Sequence, residues 1–129
     1  QARDLCLFKP CELPVYGRIA LMNLTHCHLK DKGYCGVCSA ALTDRGGRIF
    51  PMERYAVQTC CMRVLNCDKL NMSAHTRDMK KLNVDAYRFI FTDETEEQAI
   101  SAIQAFENGT PLSGKGYTTG HYYRGLNDE

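Results

Sequence analysis

The sequence predicts an α/β fold in which a cysteine-rich loop and hairpin precede a β-α-β-α unit. Three observations carry this reading. Residues 73–109 hold two stretches of helical period, each of them next to a short apolar run of strand character. Residues 41–52 hold two short apolar runs around DRGGR, the pattern of a hairpin. Between them and the first strand lies HCHLKDKGYCGVC, with three cysteines and two histidines in residues 26–38.

The elements follow in order. In ELPVYGRIALMNL, residues 12–24, Val15, Ile19 and Leu21 alternate with polar or small residues, which predicts one strand. Gly17 within it marks a bulge or a close backbone approach. Ala41–Thr43 and Ile49–Met52 form the hairpin, with Gly46 and Gly47 supplying positive φ, and Asp44 and Arg45 serving turn chemistry. A short strand centres on Val64 and Leu65. From Ser73, a capping residue, Met79 and Leu82 make the apolar stripe of a helix that Asn83 stops. Ala86–Phe91 reads as a buried strand. The last helix opens on a Thr95 to Gln98 capping box with acidic residues in its first turn, presents Ile100, Ile103 and Phe106, and closes at Gly109. Short joins between such elements predict parallel layering. Residues 12–72 thus form a cysteine-rich strand and hairpin region and 73–129 a β-α-β-α unit with its tail. All of 1–129 is expected to be one fragment of a larger domain, because two βα units leave sheet edges open. Gln1 at the start and the glycine- and aromatic-rich GKGYTTGHYYRGLNDE at the end agree with that expectation.

Composition narrows the function. With 129 residues, 44% of them apolar and 24% charged, the chain is an ordinary globular domain rather than a disordered one. A formal net charge of +1 gives no global attraction to nucleic acid or membrane, and no apolar run reaches the roughly 20 residues of a membrane helix. Eight cysteines raise three possibilities: a metal or cluster, disulfides, or a reactive thiol. Sequons at Asn23, Asn71 and Asn108 favour a secreted disulfide-bonded binding module. Against that module stand the Cys35-x2-Cys38 pair and the adjacent Cys60 and Cys61, which suit metal ligation better than mutual bridging.

Several short motifs resemble the peptidase family U32, the collagenase-like proteases. Glu12, Gly17 and Cys27 match the spacing of the family signature, and the likeness continues through DRGGRIFPM, RVLNCDKL and TTGHYYRG. Ala20 and Thr25 depart from it, standing where the signature has a cysteine and a glycine. This pattern is similar to the YGRxxLM branch, in which the cysteines after the signature carry more of the chemistry. The resemblance implies a (β/α) barrel of which this chain is a partial, barrel-like fragment from the C-terminal part of the shared region. It also implies either peptidase activity or oxygen-independent hydroxylation of RNA bases or quinone precursors, with a 4Fe–4S cluster on four cysteines in several members.

Soft thiolates suit both an iron–sulfur cluster and zinc, the alternative metal. The expected ligands are Cys27, Cys35, Cys38 and Cys60. Cys61 competes with Cys60, since neighbours in a strand point to opposite faces, and Cys67 enters if the register differs. His26 and His28 are expected near the ligands rather than among them, and Cys6, Cys11 and Cys67 as small buried residues. A cysteine peptidase would need a base fixed toward Cys27, which its two flanking histidines do not offer in a strand. Catalytic residues are therefore unassigned, with Glu12 and Glu53 read as solvated charges. His121 and Arg124 offer donors to a substrate anion, or else structural hydrogen bonds. The expected partners are the remainder of the same polypeptide or a companion subunit, with an RNA or peptide substrate and no membrane. A cytoplasmic setting goes with a reduced cluster.

Overall fold

The computed structural model describes residues 9–31, 33, 36, 39–56, 60–120 and 122. Among them the chain is mixed α/β, with two four-stranded sheets and few helices, and neither sheet closes into a barrel. It divides into two compact units: Arg18–Cys67, and the residues up to Gly17 together with Asp68 onward.

The expected single strand over residues 12–24 is in fact two: β1, Glu12–Gly17, and β2, Ala20–Leu24, which belong to different sheets. The break has a backbone cause. Gly17 takes φ +110°, and a Cβ there would lie 1.9 Å from the carbonyl oxygen of Ile90. Only glycine permits that approach, and the chain turns out of the sheet just after it.

The Arg18–Cys67 unit is an antiparallel sheet of order β2-β5-β4-β3, where β3 is Ser39–Thr43, β4 Ile49–Ala56 and β5 Cys61–Leu65. The hairpin forms where expected, with Thr43 opposite Ile49 and Ala40 opposite Met52, but of the two turn glycines only Gly47, not Gly46, takes positive φ. Its turn relies on Gly47 at φ +78° and on Asp44, whose Oδ1 accepts the amides of Gly46 and Arg48 at 2.8 and 2.9 Å. These hydrogen bonds and the Arg48 guanidinium hold the Asp44 carboxyl below its ordinary range. One face carries a small core of Met52, Met62 and Val64, covered by Leu24, Cys27, Leu29, Ala40 and Phe50. Leu29 comes from α1, His28–Asp31. At the base of the unit, Arg18 donates to the carbonyl of Asn66 at 2.9 Å and to that of Cys67, while Asn66 N–H donates to Ile19 at 2.9 Å. These bonds tie the two chain ends of the unit together.

The other unit has sheet order β7-β1-β6-β8, with β6 at Lys69–Asn71, β7 at Ala86–Ile90 and β8 at Tyr117–Thr118. β1 runs parallel to β7 and antiparallel to β6, and β6 runs parallel to β8, so the sheet is mixed. Because β1 and β6 are paired neighbours, the whole cysteine-bearing unit is an insertion in the connection of this pair. The helix expected from Ser73 is reduced to a 3-10 turn, Ser73–His75, followed by α2, Thr76–Met79. Ser73 does not cap it: the residue is buried inside the turn, and its hydroxyl accepts Leu112 N–H at 3.4 Å. Nor does Asn83 stop the helix: α2 already ends at Met79 with Lys80 as its C-cap, and Asn83, at φ +27°, follows the turn beyond it.

The long helix α3, Glu96–Asn108, carries the predicted capping box and ends on Gly109 at φ +68°. Its buried face, however, is Ala102, Ala105 and Phe106, whereas Ile100 and Ile103 are exposed. The helix backbone lies close to the Ser73–Met79 segment, with two small residues, Ala102 and Ala105, on its buried face, and Phe106 fills the space among Val15, Met72 and Met79. Tyr87 and Phe89 meet Phe106 edge-on, with centroids 5.1 and 5.6 Å away.

Candidate functional site

The cysteines are placed by the antiparallel sheet. β2 ends and β5 begins at the same end of their pair, with Leu24 opposite Met62; β4 ends there too, with Ala56 opposite Cys61. β3 starts at that same end, with Ser39 opposite Glu53. The chain from Leu24 to Ser39 therefore leaves and re-enters the sheet at one end, and in sequence it contains Cys27, Cys35 and Cys38. Cys60 directly precedes β5 at this end.

Of the four expected ligands, Cys35 and Cys38 lie outside the described residues. Cys27 is half-buried and packs onto the Met52, Met62 and Val64 core. His26 and His28 on either side of it are exposed, consistent with a thiol turned inward between two outward imidazoles. Cys60 is half-buried and takes φ +50°, a left-handed conformation rare outside glycine, asparagine and aspartate. Cys61 alternates with Met62 and so belongs to the opposite face from that core. Its thiol stands 3.9 Å from the Thr25 carbonyl, to which it donates. Cys67 is only half-buried rather than buried, with its thiol 3.6 Å from Asn66 Oδ1. Cys11 is likewise half-buried, its amide donating to Asp85 at 2.7 Å, and Cys6 lies outside the described residues. Among the described residues no three His, Cys, Asp or Glu side chains come together as a metal group.

The two glutamates expected as solvated charges are cross-strand ion pairs. Glu53 accepts from Arg63 at 2.6 Å, directly opposite on β5, and Glu12 pairs with Arg88 beside it on β7. Such pairs fix register more than they add stability. His121 and Arg124 lie outside the described residues. Their neighbour Tyr122 stacks on His75 at 4.5 Å and donates to Asp78 Oδ2 at 3.1 Å.

A second polar cluster, which periodicity does not reveal, sits in the other unit at the carboxyl end of the parallel β1–β7 pair. The β1 register shifts between Pro14 and Tyr16, and Val15 and Tyr16 are both buried. A bulge of this kind re-aims a side chain. The Tyr16 ring lies 5.7 Å from Phe91 and 6.3 Å from Tyr117. Burial, then Tyr117 and Glu94, push its phenol well above the ordinary value, so it stays protonated. Lys69, at the start of β6, holds Asp93 at 2.7 Å and Glu94 at 2.8 Å. The Glu94 side chain is only 1% exposed, and its Oε2 accepts the amides of Thr92 and Asp93 at 2.7 and 3.2 Å. Burial raises its carboxyl, but Lys69 and the backbone amides outweigh that and hold it below the usual range. For Lys69, burial opposes the charge while Asp93 and Glu94 more than restore it. The arrangement is self-compensating: a lysine already spanning two carboxylates is a poor free base or anion site. The only sequence signal for it is the polar run TDE directly after the β7 strand.

No helix among the described residues is long and apolar enough to cross a membrane. Comparison with known proteins finds no matching family model, no matching curated protein and no matching solved structure.

Proposed function

We propose that this chain is part of a larger enzyme similar to the U32 collagenase-like family, and that its Arg18–Cys67 unit carries a 4Fe–4S cluster. The proposed ligands are Cys27, Cys35, Cys38 and Cys60, and the reaction is oxygen-independent hydroxylation of RNA or a related substrate in the cytoplasm. The carrying observation is the one-ended sheet. The segment holding Cys27, Cys35 and Cys38 leaves and rejoins the sheet at the end where Cys60 enters β5. Four soft thiolates approached from three chain segments suit a cluster or zinc. The inward Cys27, the unusual φ of Cys60 and the opposite face of Cys61 favour Cys60 as the fourth donor.

When bound, the cluster would supply electron transfer or Lewis-acid chemistry. The chain's own residues would hold it on the core side of the β2-β5-β4-β3 sheet, where Met52, Met62 and Val64 exclude water. In the barrel that the resemblance implies, the parallel β1–β7 pair would belong to the wall and the rest of the polypeptide would cover the open edges. His121 and Arg124 are the proposed substrate-facing residues.

The test is anaerobic purification followed by iron, sulfide and zinc analysis with visible absorbance. Iron and sulfide in near-equal amounts, lost in Cys38→Ser and kept in Cys6→Ser, is the expected result. Zinc without sulfide would make the site structural. Metal-independent peptide cleavage that a thiol alkylator blocks and Cys27→Ser abolishes would replace the proposal with a cysteine peptidase.

A further inference from the structure

We draw no further inference here: the strongest candidate, the Tyr16, Lys69, Asp93, Glu94 and Tyr117 cluster at the carboxyl end of the β1–β7 pair, is closed on itself by the two Lys69 ion pairs and lines neither the surface hollow between Ala74 and Gly109 nor that between Lys80 and Glu107, so nothing among its described residues points to a ligand.

Discussion

The two units solve the problem of covering a sheet in different ways. In the unit built on β1, β6, β7 and β8, a 13-residue helix lies over the strands and seals Val15, Met72, Met79 and Phe106. In Arg18–Cys67 the only described helix has four residues, and the core is Met52, Met62 and Val64 with half-buried neighbours. Leu21, Met22 and Ile49 remain 51%, 54% and 60% exposed there. A unit of roughly 50 residues with so small a core usually needs a metal, a disulfide or a partner surface to hold it. The difference teaches that one unit is sealed by a helix, whereas the described apolar core of the other is smaller and lies under half-buried neighbours.

If the proposed cluster is held by Arg18–Cys67, its removal should separate the two units most sharply. Chelation is expected to deprotect the amides of Arg18–Cys67 to hydrogen exchange while those of β7 and α3 stay protected, because metal binding and folding are one equilibrium in a small site. Uniform loss across both units, or none in either, would break the comparison.

Core truncation probes the same contrast from the packing side. Phe106→Ala should cost about 4 kcal/mol and Met62→Ala about 3 kcal/mol. Each should register by hydrogen exchange chiefly in its own unit, and spreading of the Met62 effect into α3 would show that the units are not separate. Gly17→Ala comes next, at about 3 kcal/mol, from a strained φ of +110° and the Ile90 carbonyl in the way. Urea unfolding followed at both units should show it in the β1–β7 pair.

Lys69→Met tests the charge cluster and should cost about 2 kcal/mol near neutral pH, by leaving Glu94 buried without its cation. The pH dependence should then weaken. In the parent the folded Glu94 carboxyl lies below its unfolded value, so its contribution is present above the unfolded value and is lost as pH falls through the folded one. In Lys69→Met only the backbone amides still oppose burial, so the stability that the parent loses as pH falls should shrink. Parallel urea midpoints for the two proteins from acid to neutral pH would refute the ion-pair account. Thr95→Ala should cost least, about 1 kcal/mol, by removing the hydroxyl that accepts Gln98 N–H at 3.3 Å, and its effect should appear in α3 alone.

What was legible in the sequence is local. The capping box at Thr95 and Gln98, Gly109 beyond the helix and the 43–49 turn are each written within a few residues, because hydrogen bonds of short sequence separation create them. The density of cysteines in residues 26–38 was legible in the sequence; among the described residues no three metal-ligating side chains come together, and Cys27 packs on the Met62 core. The rest depended on contacts between distant residues. Strand periodicity runs on through Gly17, yet the carbonyl of Ile90 decides that β1 ends there and that β2 belongs to another sheet. Helical period alone cannot choose between the Ile100–Ile103 face and the Ala102–Ala105 face; packing of the helix against distant segments buries the small residues. Glu12 and Glu53 look like solvated charges until register sets Arg88 and Arg63 beside them. Tyr16, Lys69 and Glu94 meet from three segments far apart in the chain, through a bulge that no period signals. The sequence by itself determined both caps of the long helix, the place of the hairpin turn, and the density of cysteines in residues 26–38. Only the tertiary structure decided which faces are buried, which charges pair, and at which end of which sheet those thiols enter. Burial and register are properties of contacts across the chain, and short-range patterns carry no information about them.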